Sequence, residues 1–194
     1  MQRTGSDRRR VISCVILIAL FILLVILDQT IKILIKRADS LGVFKPITVI
    51  DGFFYITYTK NSGAAWSFLS GQDWAQLFFK ALTLVAIIVF ILMFVYTTKK
   101  NKRFMRFAFV LISAGAVGNF IDRVAYGFEV AGANAGIIEI LKNGYVVDFL
   151  SFVFGSYSFP VFNIADALMT VGMVLLIIDL LFIDEDAVFK KKKA

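Results

Sequence analysis

Residues 146–167 read V-V-D-F-L-S-F-V-F-G-S-Y-S-F-P-V-F-N-I-A-D-A. Two aspartates, Asp148 and Asp166, stand here among residues that are otherwise almost wholly apolar. Asn163 and Asp166 head a run long enough to cross a bilayer. An ionisable group at membrane depth costs ~2.5 to 3.5 kcal/mol on insertion scales, so its default reading is functional. Two carboxylates converging at one place point to acid–base chemistry.

The rest of the chain sets the context for that stretch. Of 194 residues, 59% are hydrophobic and only 18% charged, and 21 are Phe. A soluble domain of this length cannot bury so much apolar surface, which identifies a polytopic membrane protein. The net charge of +7 sits in short basic blocks beside hydrophobic runs. That pattern reports topology, not a nucleic-acid partner. The single cysteine, Cys14, lies in the first apolar run and offers no disulfide. There is no histidine. Ser–His and Cys–His nucleophiles and an H-E-x-x-H zinc site are therefore excluded, leaving carboxylates, lysines and hydroxyls. No metal and no cofactor are expected.

The hydropathy pattern predicts a single integral membrane domain, all-α with a small β element. Four transmembrane helices are expected at about 11–35, 74–98, 104–125 and 162–183, with outer loops 36–73 and 126–161. A charged start followed by an apolar run looks like a signal peptide, but no small-residue cleavage site follows it, so the first span is read as uncleaved. Ile47–Ile50, then Asp51-Gly52, then Phe53–Thr59 predict a β-hairpin, with Trp66 and Trp74 beyond it as interfacial anchors. Ala114 and Gly118, four apart, allow close helix contact on the third span. Pro160 suits the start of the fourth. Arg3 and Arg8–Arg10, five basic residues in 99–106 and Lys190–Lys193 make thirteen of the 21 Lys and Arg. The positive-inside rule then puts both termini in the cytoplasm. Asp28, Asn61, Asn119, Arg123, Asp148, Asn163 and Asp166 all fall near the outer boundary.

Spacing groups these residues by face. Asp28 and Lys32 are four apart and can pair, whether as a structural salt bridge or in support of a site. Asn119 and Arg123 share a face of the third helix, with Asp122 offset as a structural member. Asn163 and Asp166, three apart, share a face of the fourth. Asn61-Ser-Gly63 reads as a turn. The bland alternative for the aspartates has Asp148 capping a short helix and Asp166 bonding another helix. If instead they meet, repulsion and low dielectric favour a shared proton.

Five blocks, in order, carry a family likeness: Asp28-Gln29-Thr-Ile-Lys32, Asn61-Ser-Gly63-Ala-Ala, Gly118-Asn119-Phe-Ile-Asp122-Arg123, Val146-Val-Asp148-Phe, and Phe162-Asn163-Ile-Ala-Asp166. The chain resembles the bacterial lipoprotein (type II) signal peptidases, four-helix intramembrane aspartyl proteases. The resemblance implies a catalytic dyad of Asp148 and Asp166, with Asn61, Gly63, Asn119, Arg123, Asn163, Asp28 and Lys32 shaping or supporting the site. It implies a diacylglyceryl-modified prolipoprotein substrate cut just before the lipidated Cys, membrane lipids as surroundings, and a site near the outer face of the bacterial cytoplasmic membrane. It also implies an outer β-rich cradle between the first two helices. A monomer is expected. The connection 124–147 is longer than the family pattern, and its four glycines predict a flexible lid. Trp66 stands where the family pattern expects an aromatic, often Phe, a mild change.

Two other readings compete. A small ion-coupled transporter could use the same carboxylates as a proton relay, and would place functional groups deeper in the bilayer, with an inverted repeat. An assembly factor could use the outer loops for contacts. It gives no reason for two aspartates to converge.

Overall fold

The computed structural model describes residues 5–63, 73–100, 102–132 and 134–183. Arg3, the Ala64-Ala65 pair, Trp66, the side chain of Trp74 and the Lys190–Lys193 tail lie outside the described residues. Helix α1 runs Gly5–Ser40, strand β1 Ile47–Ile50, β2 Phe54–Asn61, α2 Asp73–Lys99, α3 Arg103–Ala131 and α4 Ile137–Asn143. Strands β3 (Val146–Phe154) and β4 (Tyr157–Ser158) come next, then α5 (Ile164–Ile178), which continues as a π-helical turn, Asp179–Ile183.

Four helical segments are long and apolar enough to cross a membrane: Arg8–Ser40, Lys80–Lys99, Arg103–Ala131 and Ile164–Ile183. Their burial is unequal. In an apolar 18-residue window of each, 72% of α3 is buried, against 6% of α1 and 11% of the second and fourth segments. So α3 is the central helix, and the others pack around it with apolar side chains left facing outward, as a lipid solvent requires.

Small residues let the backbones close. A Cβ on Gly115 of α3 would lie 2.2 Å from the Ala165 carbonyl oxygen, and one on Gly172 of α5 would lie 2.9 Å from that of Ala108. Each helix thus supplies a glycine to the α3–α5 crossing. The small pair expected from spacing is Ala114 and Gly118. Gly118 is indeed tight, but against the Asp28 carboxylate of α1, whereas it is Gly115 that lets α3 approach the backbone of α5.

The β element is larger than the hairpin expected between the first two helices. β1 and β2 form that hairpin around Gly52, at φ +70°, where only glycine is unstrained. β3 and β4, from the connection before α5, complete a four-stranded antiparallel sheet in the order β1-β2-β3-β4. Distant sequence segments share one sheet, and both strands are rich in the aromatic and β-branched residues that favour it. Cross-strand aromatic contact supports the pairing: Phe54 stacks on Phe152 at 4.6 Å between centroids, and Phe152 on Phe162 at 5.7 Å.

Two further expectations change. Pro160 does not open α5; Asn163 caps it, and the helix begins at Ile164. The 124–147 connection is no loose lid. Its first part lengthens α3 to Ala131 and its second forms α4, pressed so closely that a Cβ on Gly127 would meet the Ile140 carbonyl oxygen at 2.1 Å.

Candidate active site

Asp148 sits in β3, on a strand and not at a helix cap, opposite Thr59 of β2. After β3 the chain turns at Gly155 and comes back. Phe162 pairs with Leu150, its N–H donating to the Leu150 carbonyl at 3.1 Å and its carbonyl accepting from Leu150 at 2.8 Å. This return places Asn163 beside Asp148, although 15 residues separate them. Asn163 then starts α5 with a capping box. Its side-chain oxygen accepts from the Asp166 N–H at 3.0 Å, and Asp166 Oδ2 accepts from the Asn163 N–H at 3.1 Å.

The Asn163 amide joins the two carboxylates. Its Nδ2 donates to Asp148 Oδ1 at 2.6 Å and to Asn119 Oδ1 at 3.1 Å. Asn119 Nδ2 in turn donates to Asp166 Oδ1 at 2.8 Å. Asn61 Nδ2 holds the other oxygen of Asp148 at 2.8 Å, while Asn61 Oδ1 accepts from the Gly63 N–H at 2.9 Å. Gly63 takes φ +90°, a conformation that explains glycine in this turn. Asp148 is 2% exposed. Burial pushes its carboxyl up to about 6; the nearby Asp166 charge adds to the rise, while hydrogen bonds from Asn61 and Asn163 and the Lys32 charge oppose it. A buried Asp148 that holds a proton to higher pH than a free carboxyl, beside a half-buried Asp166, is an arrangement able to do acid–base work on a polar bond.

Beneath the pair lies a charged knot between α1 and α3. Lys32, fully buried, donates to Asp28 Oδ2 at 2.8 Å, Asn119 Oδ1 at 2.9 Å and Asp122 Oδ2 at 3.1 Å. Asp28 Oδ1 accepts from the Ala165 N–H at 3.0 Å, one of the otherwise orphaned donors at the start of α5. Asp122 Oδ2 accepts from the Val147 N–H at 3.1 Å, the residue before Asp148. So one ammonium supports the start of α5 and the strand carrying Asp148 through two different aspartates. Arg123 donates from Nη1 to the Asn119 carbonyl at 3.3 Å and, among the described residues, enters no ion pair. Its charge still acts through space on Asp166, Asp122 and Asp148.

All nine expected residues lie in or against this network; Gly63 and Arg123 are its most peripheral members. Gln29 belongs to one of the motif blocks, but its spacing assigns it no role. Its Nε2 donates to Asp122 Oδ1 at 2.8 Å and to the Gly118 carbonyl at 3.0 Å. An amide in an apolar helix, next to a buried aspartate, is the signal that points to it. Among the described residues no cluster has the make-up of a metal site.

Four membrane-length helices, together with two aspartates linked through asparagine amides, define a multi-pass membrane protein. The chain belongs to the signal peptidase (SPase) II family, whose sequence model matches residues 20–182 and so includes every site residue. It is 42% identical over 158 residues to a lipoprotein signal peptidase of Bacillus pumilus, covering 81% of this chain and 87% of that one. It is 39% identical over 178 residues to that of Staphylococcus aureus, covering 92% of each. A solved bacterial membrane enzyme, determined by the in meso method at 2.3 Å, superposes with a TM-score of 0.64 at 35% identity, covering 92% of this chain and 93% of that one. The transporter alternative finds no support in these relatives.

Proposed function

We propose that the protein is an aspartyl endopeptidase that removes the signal peptide from diacylglyceryl-modified prolipoproteins, cutting just before the lipidated Cys. The observation that carries this reading is the amide bridge from Asp148 through Asn163 and Asn119 to Asp166, inside a chain of the signal peptidase II family.

The pair shares one proton. The ionised carboxylate takes a proton from a water molecule as its oxygen bonds to the scissile carbonyl carbon. The protonated carboxylate gives its proton to the carbonyl oxygen, and a tetrahedral diol forms without a covalent enzyme intermediate. Proton transfer to the leaving nitrogen then breaks the C–N bond. Arg123, with N–H groups to spare, and the Asn61 turn hold the substrate backbone beside the pair. The lipidated substrate enters sideways from the bilayer and keeps its acyl chains in lipid. The basic blocks support a location in the bacterial cytoplasmic membrane with both termini inside and the site near the outer face. The protein acts as a monomer, surrounded by membrane lipids, with neither cofactor nor nucleic acid.

Asp148→Asn and Asp166→Asn each keep side-chain volume and lose the acid–base function. Each lowers cleavage of a lipidated lipobox peptide by about a hundred- to ten-thousand-fold while the protein still melts cooperatively in detergent. Full activity in either variant removes the dyad assignment.

A further inference from the structure

Lys80 interrupts the apolar sequence of α2 near one end of its membrane-length segment and is only 2% exposed. A buried ammonium at that depth requires partners. Its Nζ donates to backbone carbonyls: to that of Leu141, to that of Lys142 at 3.3 Å and to that of Gly144 at 3.0 Å. Leu141 and Lys142 belong to the last turn of α4, and Gly144 is the residue after it. Helix C-terminal carbonyls lack intrahelical donors and carry the negative end of the helix dipole. A single cation from another helix satisfies them here.

This cap sits directly before the strand that carries Asp148. Gly144 is pressed against α3: a Cβ there would lie 1.9 Å from the Arg123 carbonyl oxygen. Tyr145 comes next and stacks on Tyr126 of α3, with centroids 4.8 Å apart. β3 then begins at Val146 and reaches Asp148 two residues later. The segment entering β3 is therefore held on one side by α3 and on the other by Lys80. Asn61, Asn163 and Asp122 orient Asp148 and its strand from the remaining directions, and none of those bonds involves α2.

We infer that Lys80 is a positioning residue: by clamping the C-terminal carbonyls of α4 and that of Gly144 from α2, it fixes the approach of β3 and hence the placement of Asp148 for catalysis. The inference rests on the dyad reading of Asp148 and Asp166. A clamp of this kind acts on the reacting geometry more than on substrate affinity, because the substrate is held elsewhere. Loss of the clamp then appears in kcat and not in KM.

The test uses the full chain in detergent with a lipidated lipobox peptide, and reads kinetics together with hydrogen exchange. Lys80→Met lowers kcat about tenfold with KM within about twofold, and speeds exchange at 141–150 while α5 is unchanged. Lys80→Gln, which keeps donors but no charge, gives a smaller change in the same direction and serves in its place if the Met variant does not accumulate. Unchanged kcat, a change confined to KM, or unchanged exchange at 141–150 in a folded variant overturns the inference. Asp148→Asn in the same assay separates the two ideas. Full activity there removes the dyad, while exchange at 141–150 still reports whether Lys80 holds the strand.

Discussion

At the scale of single residues, the chemistry turns on how a carboxyl is kept partly protonated without being isolated. Asp148 is buried and lies near another carboxylate, so its pKa rises to about 6, yet two asparagine amides stabilise its charged form. On the proposed mechanism the proton on Asp148 is lost as pH rises past about 6, so kcat/KM for the free enzyme is expected to fall on the alkaline side of that value. Asn61→Ala removes a donor that favours the ionised state, which raises the Asp148 pKa further. The alkaline limb of kcat/KM then moves to higher pH. A pH–rate series on that variant showing no shift, or a downward one, contradicts this account of the site. Both aspartates, Asn119 and Asn163 were legible in the sequence as polar exceptions in apolar surroundings, whereas Asn61 reads locally as a turn and entered the site only through the family likeness. Gln29 gains no role from the sequence: its amide is a polar exception in an apolar helix too, but the partners that define its part, Asp122 and the Gly118 carbonyl, lie on α3.

At the scale of elements, the decisive feature is how a strand and a helix meet. The return of the chain from β3 through β4 to Phe162 makes Asn163 both the cap of α5 and a donor to Asp148. The start of α5 depends equally on close approach to α3. Gly115→Ala would push a methyl to 2.2 Å from the Ala165 carbonyl oxygen, in the first turn of α5. The expected cost is about 1–3 kcal/mol, read as a lower melting temperature in detergent. Gly136→Ala is the control. A Cβ there meets nothing within 4 Å and the backbone is extended, so its melting temperature stays near that of the parent. Equal melting of the two variants would contradict the tight crossing. Hydropathy located the helices, the fourth to within two residues, but it could not name the cap of α5: caps are set by hydrogen-bond partners, which Asn163 has and Pro160 does not offer. It also read the glycines of 124–147 as slack. Gly127 and Gly144 are small because α4 and its exit press on α3.

At the scale of the whole molecule, α3 is the axis on which everything else is mounted. It contacts α1 through the charged knot, α5 through the glycine crossing and β3 through Asp122. Lys32 ties these connections together. Lys32→Met leaves Asp28 and Asp122 buried with no counter-charge, at an expected cost of about 3–5 kcal/mol. Pairing it with Asp28→Asn removes one of the stranded charges and recovers part of that loss, which thermal melts of the single and double variants measure. A single variant as stable as the parent would show that the knot is not needed for folding. The sequence by itself determined the membrane class, the four apolar helices, the β-hairpin at Asp51-Gly52 and the polar residues that gather at one level. Those properties are local, written in hydropathy and spacing. Only the tertiary structure decided that β3 joins the hairpin's sheet, that Asn163 and Asn119 bridge the two aspartates, and that the long connection is clamped between α2 and α3. Strand register, close backbone approach and the choice of a distant hydrogen-bond partner are set when remote segments pack, and no single stretch of chain contains them.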